Sequence, residues 1–250
     1  MELSFKQRLR RAKGPSTPAS ELRDLVKDAN WDMRQAIAGN PNTPQDILST
    51  LAVDDDGIRR EVASNPGASP TLLSAFSMDK DWRIRAEVAC NQNTPQNLLS
   101  ILATDTEEDV RYEVARNPKT SAATALVLAH DEDEEVRYHA EHHPALTMKA
   151  LAELAEDADF VVRCRVSLFQ KTPPKLLAQL ADDPVESVRA GVAANERTSV
   201  RALAKLAKDR SPVVQQAVAY NPRASAGALK DLLQTARGEA WDQASKRLRA

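Results

Sequence analysis

The chain is poor in glycine, in aromatic residues and in cysteine. Its 250 residues include 7 glycines and 4% aromatic residues, which argues against a fold rich in strands and tight turns. Two cysteines, Cys90 and Cys164, are too few for a disulfide framework or a four-thiolate cluster within one chain. No apolar run approaches the roughly 18–20 residues of a membrane helix, and no secretory-type apolar stretch follows the basic N-terminus. These absences predict a cytoplasmic protein that does not interact with membranes.

A motif that occurs eight times dominates the rest of the sequence. Each copy centres on a position that we call the anchor, with small or branched apolar residues before it and three and four residues after it, as in VRYEVARNP at 110–118. Such a period predicts a stack of similar supersecondary units. The anchors follow one another at one step of 25 residues and six of 26: Arg34, Arg59, Arg85, Arg111, Arg137, Arg163, Arg189 and Gln215.

Each repeat carries the signals of two short helices. In the first, the leading helix, a hydroxyl residue before a proline predicts an N-cap with proline at the first helical position. In the second, the anchor helix, an acid or serine four residues before the anchor predicts the N-cap. An Asn-Pro step then ends the helix, because proline disfavours helical geometry in the preceding residue. The predicted caps are Thr43, Ser69, Thr94 and Thr172 for leading helices, and Asp55, Asp81, Asp133, Asp159 and Ser211 for anchor helices.

A single repeat is too small to fold alone. Its about six apolar side chains contribute roughly 1.5–3 kcal/mol each when buried, whereas ordering the backbone costs on the order of 1–2 kcal/mol per residue. The repeats must therefore cover one another's apolar faces, which predicts an all-α fold of the solenoid type. We expect a basic N-terminal segment at 1–16, the solenoid at 17–233, and a C-terminal capping helix with a basic tail at 234–250.

The stretch from Ile84 to Asp105 (IRAEVACNQNTPQNLLSILATD) resembles the leucine-rich repeat variant, a relative of HEAT-like repeats. The resemblance covers about residues 17–233 and implies a right-handed α-solenoid of about eight two-helix repeats, in which the anchor helix is a candidate for 3₁₀ geometry. It implies a binding scaffold rather than an enzyme. Some family members hold an iron–sulfur cluster on a cysteine-rich N-terminal segment. No cysteine precedes Cys90 here, so no cofactor is expected.

The anchor arginines allow two interpretations. A row of guanidinium groups can bind phosphates, or each group can pair with an aspartate in bidentate geometry. An aspartate lies six residues before most anchors: Asp28, Asp79, Asp105, Asp131, Asp157, Asp183 and Asp209. These matched acids favour a structural ladder formed by Arg34, Arg59, Arg85, Arg111, Arg137, Arg163 and Arg189.

Aromatic residues concentrate three residues before the anchor and one and five residues after it, positions that share one helix face. Because Tyr and Trp are enriched at binding hot spots, we predict a groove that binds a protein or a peptide. The alternative is that the rings only fill gaps between adjacent helices. The predicted binding residues are Trp82, Glu87, Tyr112, Glu113, Arg116, Tyr138, His139, His142, Arg165 and Tyr220.

Four histidines lie close together in the sequence, from His130 to His143. His139 lies three and four residues before His142 and His143, a spacing that suits transition-metal ligands on one helix. Two ring nitrogens are fewer than the three or four oriented ligands that zinc sites use. No metal site is therefore expected.

Charge is segregated along the chain although the net charge is −2. Residues 104–159 carry 5 basic and 15 acidic side chains, whereas residues 160–250 carry 16 basic and 8 acidic ones. The basic C-terminal part supports a second hypothesis, a nucleic-acid-binding HEAT-like protein that uses its last repeats. A third hypothesis, an enzyme acting on nucleic-acid bases, depends only on Trp82, Glu87 and Glu113, since no catalytic set is recognisable.

Overall fold

The structure, a computed structural model, describes residues 3–28 and 30–249, in which helices alternate with short loops and no strand occurs. The helices at anchor positions are α1 (Phe5–Ala12), α3 (Trp31–Ala38), α5 (Asp56–Ser64), α7 (Trp82–Cys90), α9 (Glu108–Arg116), α11 (Glu134–Glu141), α13 (Phe160–Leu168), α15 (Glu186–Ala194), α17 (Pro212–Tyr220) and α19 (Glu239–Arg249). The leading helices are α2 (Ala19–Leu25), α4 (Gln45–Leu51), α6 (Pro70–Phe76), α8 (Gln96–Leu102), α10 (Ala122–Leu128), α12 (Met148–Leu154), α14 (Pro174–Leu180), α16 (Val200–Leu206) and α18 (Ala226–Thr235). None of these helices is long and apolar enough to cross a membrane.

The helices form two compact units, Met1–Thr124 with Asp133–His143, and Ala125–Glu132 with Pro144–Ala250. In the first unit α1, α3, α5, α7, α9 and α11 each pack against the next helix of this series. In the second unit α13, α15, α17 and α19 do the same. This stacking of equivalent helices is the arrangement of an α-solenoid, and it confirms the predicted fold class.

Both helices of each described repeat are α-helices. The leading helix α8 closes i→i−4 hydrogen bonds, such as Leu99 N to Pro95 O at 3.1 Å, and anchor helix α9 does so between Arg111 N and Glu107 O at 3.3 Å. The 3₁₀ geometry implied by the family resemblance is therefore wrong for these residues. The helices are short because caps and prolines bound them after about two turns, which does not require a tighter winding.

The apolar positions around each anchor form the core. Val110 and Val114, one residue before and three after Arg111, have no exposed surface. Leu99 and Leu177 of the leading helices are likewise fully buried. The one-sided helices predicted from the apolar spacing are confirmed, and each buries its apolar side against its neighbours.

In six of the eight repeats, a buried asparagine six residues after the anchor ties the repeat to the preceding one. The Asn195 amide donates to Ser167 O at 2.9 Å and to Phe169 O at 3.0 Å, and its Oδ1 accepts from the Arg197 backbone N–H at 2.9 Å. These bonds satisfy carbonyls at the end of the preceding anchor helix that stacking would otherwise bury without partners. Equivalent contacts, which we call the asparagine ladder, are made by Asn40, Asn65, Asn91, Asn117 and Asn221.

The predicted threonine caps are wrong by one residue. Ser69 does cap α6, since its hydroxyl accepts from Leu72 N–H. Thr94 and its equivalents instead lie one position earlier in the repeat, and the following proline takes the N-cap position. The buried threonine hydroxyl donates backwards to the preceding anchor helix, as Thr172 does to Val166 O at 2.6 Å. A hydroxyl–proline pair therefore occurs at two repeat positions that differ by one residue, and only in one of them does the hydroxyl cap the leading helix.

The predicted caps of the anchor helices lie where expected. The carboxylates of Asp55, Asp81, Asp133 and Asp159 each accept a backbone N–H of the first helical turn. Ser211 also occupies the N-cap position of α17, but its hydroxyl is buried without a hydrogen bond. Proline at the first position of that helix contributes the start signal there.

Anchor arginines pair with aspartates of the following repeat. Arg85 Nε and Nη2 contact the two carboxylate oxygens of Asp105 at 2.6 and 2.8 Å, while Nη1 donates to Asp79 O at 2.8 Å. One guanidinium therefore joins the loops of two repeats, which is the Arg–Asp arrangement that the matched acids predict. The same bidentate pairing occurs in Arg34–Asp54, Arg59–Asp79, Arg163–Asp183 and Arg189–Asp209.

The pairing lowers the pKa of the buried aspartates. Burial alone would raise the pKa of Asp105, but hydrogen bonds from the Arg85 guanidinium and the Glu107 backbone N–H outweigh it and hold the pKa below its usual value. Asp183 and Asp209 have lowered pKa values for the same reasons. A lowered pKa means that the ladder stabilises the fold at neutral pH and loses this contribution as the pH falls through that pKa.

Repeat contacts continue beyond residues 17–233 in both directions. Arg8 of α1 pairs with Asp28 at 2.9 Å, at the same sequence distance as the other ladder pairs. Arg247 of α19 donates to Ala219 O at 2.9 Å and to Asn221 O at 2.7 Å, the carbonyls on which the asparagine of a further repeat would act. Arg247, predicted as part of a basic tail, therefore caps the asparagine ladder.

Replacing Asn195 by alanine removes both donors to the preceding repeat and leaves two buried carbonyls without partners. We expect the free energy of unfolding to fall by about 2–4 kcal/mol, measured by urea denaturation. The control is Asn97→Ala in α8, because the Asn97 side chain is exposed, and it should change stability by less than about 0.5 kcal/mol. Equal effects of the two variants would contradict the role of the ladder.

Replacing Asp105 by asparagine keeps the side-chain shape but removes the charge opposite Arg85. We expect the free energy of unfolding to fall by roughly 1–3 kcal/mol at neutral pH, because the largely buried guanidinium of Arg85 loses its counter-charge. Since the pKa of folded Asp105 is lowered, the parent protein loses its advantage as the pH falls and its own carboxylate is protonated. Urea denaturation across this pH range tests the prediction, and a difference that does not depend on pH would overturn it.

Candidate functional site

Helices α9 and α11 bring five of the predicted binding residues into one cluster. The Tyr112 and His139 rings meet edge to face with centroids 5.0 Å apart, and His139 meets Tyr138 at 5.4 Å. The His142 ring lies 4.6 Å from that of Tyr138, and the Arg116 guanidinium stacks 5.3 Å from the Tyr112 centroid. We call these five residues the aromatic cluster.

The repeat register explains why these side chains meet. Positions one and five residues after the anchor lie one turn apart on the same helix face, and stacking places equal positions of α9 and α11 side by side. Tyr138 nevertheless keeps 58% of its surface exposed. A ring that only fills a gap between helices would be enclosed, so the cluster presents aromatic surface to solvent.

A row of carboxylates lies beside this cluster in the first unit, two residues after successive anchors: Glu61, Glu87 and Glu113. These side chains are half-buried and only weakly paired. Gln35 Nε2 donates to Glu61 Oε1 at 3.3 Å, Arg60 Nε lies 3.6 Å from Glu87 Oε1, and Arg116 Nη1 lies 3.7 Å from Glu113 Oε1. We call these three glutamates the carboxylate row.

A concavity of about 390 Å³ opens next to Glu87, lined also by Cys90 and by the loop residues Asn91–Asn93. Burial raises the pKa of Glu87, and the Arg60 guanidinium opposes the shift, but the negative charges of Glu61 and Glu113 add to it. The folded protein therefore holds this carboxylate where its charge is disfavoured.

Both cysteine thiols have raised pKa values. Burial is the main cause for Cys90, and the charges of Glu113 and Glu87 add to it. Burial is also the main cause for Cys164. Because the thiolate is the nucleophilic form, neither cysteine is activated for covalent catalysis.

Three predicted binding residues lie outside both the cluster and the row. Trp82 begins α7, and the Arg83 guanidinium lies 4.9 Å from its ring. Arg165 of α13 and Tyr220 at the end of α17 belong to the second unit, where Tyr220 is exposed. The predicted set also omits Glu61. Its signal in the sequence is its repeat position, which it shares with Glu87 and Glu113.

Three of the clustered histidines bond to backbone carbonyls of the fold, and His142 does so through Nδ1, which lies 2.7 Å from Tyr138 O. His130 Nδ1 lies 3.0 Å from Leu126 O. His143 is buried at the asparagine position of its repeat, and its Nε2 lies 3.0 Å from Asn117 O, the bond that an asparagine would make there. Among residues 3–28 and 30–249, no group of three or more His, Cys, Asp or Glu side chains is arranged to hold a metal ion.

Comparison with solved structures finds other repeat proteins. One, described as a leucine-rich repeat variant with a novel repetitive structural motif, is 25% identical over 86% of this chain and 82% of that chain, with a TM-score of 0.43. An engineered protein is 15% identical over 98% and 94% of the two chains, with a TM-score of 0.34. No family model and no curated protein matches the chain. The first structure bears the name of the family that the repeat resembles, while the assignment of the fold depends on this chain's own stacked helices.

Replacing Glu87 by glutamine removes a carboxylate whose charge opposes folding. Because the folded pKa is raised, this opposition is present at neutral pH and disappears once the side chain is protonated in acid. We expect Glu87→Gln to be more stable than the parent at neutral pH by roughly 0.5 kcal/mol, a value limited by solvent screening and by the lost contact with Arg60. Urea denaturation at neutral and acid pH measures the difference.

The matched control for this variant is Glu153→Gln in α12, where the glutamate side chain is 67% exposed. Its stability should show no gain at any pH, because its charge is solvated in both the folded and the unfolded state. A Glu87→Gln protein that is less stable than the parent at neutral pH would contradict the electrostatic interpretation of the carboxylate row.

Proposed function

We propose that the chain is a non-enzymatic scaffold that binds a cationic segment of another protein, or a cationic peptide, along a groove of its first unit. The groove consists of the aromatic cluster and the carboxylate row on helices α5, α7, α9 and α11. One observation carries the proposal: exposed tyrosine surface lies beside half-buried, weakly paired carboxylates at equivalent positions of consecutive repeats.

The aromatic cluster supports a role in protein recognition. Tyrosine offers a large, amphipathic contact area at low conformational-entropy cost because it has only two side-chain torsions. The edge-to-face contacts of His139 with Tyr112 and Tyr138 restrict these torsions before a partner arrives. An ordered and exposed aromatic surface of this kind is typical of binding hot spots.

The carboxylate row supports a cationic partner. A Lys or Arg side chain entering the concavity beside Glu87 would supply the counter-charge that Arg60, at 3.6 Å, supplies incompletely. Another cation of the same segment would stack on a tyrosine of the aromatic cluster, and the contact of Arg116 with Tyr112 is an example of that geometry. The charge of Glu87 lowers the stability of the free protein, and on this proposal the lost stability is the cost of a site that binds a cation.

The hypothesis of an enzyme acting on nucleic-acid bases has less support from the geometry. Of its three candidate groups, Trp82 is stacked with Arg83 and Glu113 is paired with Arg116. Glu87 has the raised pKa that a general acid requires, but the pKa of the Cys90 thiol beside it is also raised, so this thiol is not activated as a nucleophile.

The proposal predicts binding of arginine-containing peptides that depends on Tyr138. The probe is a panel of fluorescein-labelled nine-residue peptides with arginine at alternate positions, compared with matched peptides that carry glutamate. We expect arginine peptides to bind, and Tyr138→Ala to weaken the tightest complex by about 30-fold, the effect of losing one hot spot. Fluorescence polarisation measures the affinities, and the unfolding midpoint of each variant confirms that it folds.

Phe160→Ala is the matched control, because Phe160 is also an exposed aromatic residue, at 47%, but lies in the second unit and outside the predicted binding set. Its affinity for the peptides should equal that of the parent. The double variant Glu87→Gln/Glu113→Gln should bind more weakly and lose part of the salt dependence. Equal binding of arginine and glutamate peptides, or no effect of Tyr138→Ala, would overturn the proposal.

A further inference from the structure

We propose that the second unit binds the phosphodiester backbone of a nucleic acid along one row of its loops and leading helices. This surface is distinct from the groove of the first unit, and the inference stands or falls independently of the function proposed above. The residues concerned, which we call the basic edge, are Lys149, Lys171, Lys175, Arg197, Arg201, Arg223 and Arg249.

The cations of the basic edge lie at two positions of the repeat, and the stacking of the repeats aligns each position into a row. Three of its cations, Lys171, Arg197 and Arg223, lie eight residues after the successive anchors Arg163, Arg189 and Gln215, in loops that precede leading helices. Arg249 lies 26 residues after Arg223, at the end of α19. The other three are the second residues of α12, α14 and α16. Arg197 and Arg201, for example, lie on either side of the N-cap residue Ser199. Each repeat therefore adds cations to the same border of the second unit.

Two of the loop cations, Arg197 and Arg223, stand on a fixed backbone but remain exposed. The backbone N–H groups of Arg197 and Arg223 donate to the Oδ1 atoms of the ladder residues Asn195 and Asn221, both at 2.9 Å. Their side chains, like that of Arg201, are exposed, and no described acidic side chain lies within ion-pair distance of these three guanidinium groups. One acid, the exposed Glu196, interrupts the basic sequence of these loops.

The first unit shows that stacking does not require these charges. Its equivalent loop positions carry Asn42, Gly67 and Asn93, with Lys119 the single cation, and its leading helices carry Asp46, Thr71 and Asn97. At the loop position, asparagine even adds a contact between repeats, as Asn42 Nδ2 does by donating to Pro15 O at 2.6 Å. Arg197 and Arg223 make no such bond. The second unit therefore has exposed charge where the first has a stabilising contact, which is typical of positions selected for binding.

The chemistry of the edge suits phosphate. Arginine occupies four of its seven positions, and the guanidinium fork binds phosphate oxygens in bidentate fashion. Packed helices are about 8–10 Å apart, so successive repeats present a line of cations that a chain of phosphates can follow. All seven residues are lysine or arginine, so the contacts that this edge itself makes are to phosphate groups, which carry no sequence information directly.

The test uses the double variant Arg197→Asn/Arg223→Asn, which installs residues that the first unit carries at the same loop position. Fluorescence anisotropy with a labelled 20-nucleotide single strand, and with the corresponding duplex, measures affinity over a range of salt concentrations and shows which form is bound. We expect the parent to bind at low salt, with affinity that falls steeply as salt increases. The variant should bind about tenfold more weakly, and its salt slope should be smaller by about one for each lost cation.

The control is Lys27→Asn/Lys80→Asn, which removes two exposed cations of the first unit and should leave the affinity unchanged. Urea denaturation should show Arg197→Asn/Arg223→Asn to be at least as stable as the parent, since asparagine can add the contact between repeats. Failure of the parent to bind either nucleic acid at low salt, or equal weakening by the control, would overturn the proposal. In a competition assay, poly-glutamate is added at a carboxylate concentration equal to the phosphate concentration of the nucleic acid. If it displaces the nucleic acid, the proposal is overturned in favour of an acidic protein partner.

Discussion

The buried asparagine that six of the eight repeats carry is the constraint on which the stacking depends. Stacked anchor helices end against one another, and their last carbonyls would lose water without gaining partners. The Asn195 amide supplies partners for two of these carbonyls in the preceding repeat, while its oxygen accepts a hydrogen bond from its own loop. Arg247, 26 residues after Asn221, reaches the two equivalent carbonyls with a longer side chain, so the requirement is for a donor at this position. The asparagine amide meets it in six repeats with the shortest side chain that also accepts from its own loop.

The ladder also explains where the consensus can be broken. The first repeat of each unit needs only to supply carbonyls to the asparagine of the next repeat, as Ala12 and Gly14 do to Asn40. Phe169 has this role in the second unit, where its carbonyl accepts from Asn195 and its ring is buried without a polar group to satisfy. His143 preserves a donor by using its Nε2. Replacements that seem disruptive in the sequence are thus compatible with the hydrogen bonds that each rung must make.

Much of the fold was predictable because a hydrogen-bonding or packing requirement recurs with every repeat. The period, the apolar positions and the Asp caps of the anchor helices each occur several times, and repetition separates them from chance. The register of the threonines was not predictable in this way, because Thr94-Pro95 and Ser69-Pro70 are both hydroxyl–proline pairs but their hydroxyl groups have different hydrogen-bond partners. The roles of Arg8 and Arg247 were missed for another reason. Each lies in a repeat that lacks the apolar consensus, and only its contacts with carbonyls or with Asp28 identify the position.

The candidate sites occupy positions whose residue type differs from repeat to repeat. The anchor, the apolar positions beside it and the ladder position are determined by packing, whereas residues one, two, five and eight positions after the anchor vary more widely. In the first unit these variable positions include tyrosine, histidine and glutamate, and Lys171, Arg197 and Arg223 occupy the eighth position in the second unit. Sequence reasoning found the aromatic residues because aromatic side chains are rare here, whereas Glu61 was left out of the predicted set although it shares the repeat position of Glu87 and Glu113. Only the alignment of equal positions by stacking turns separate charges into a row, and a row of like charges has an electrostatic field that none of its members has alone.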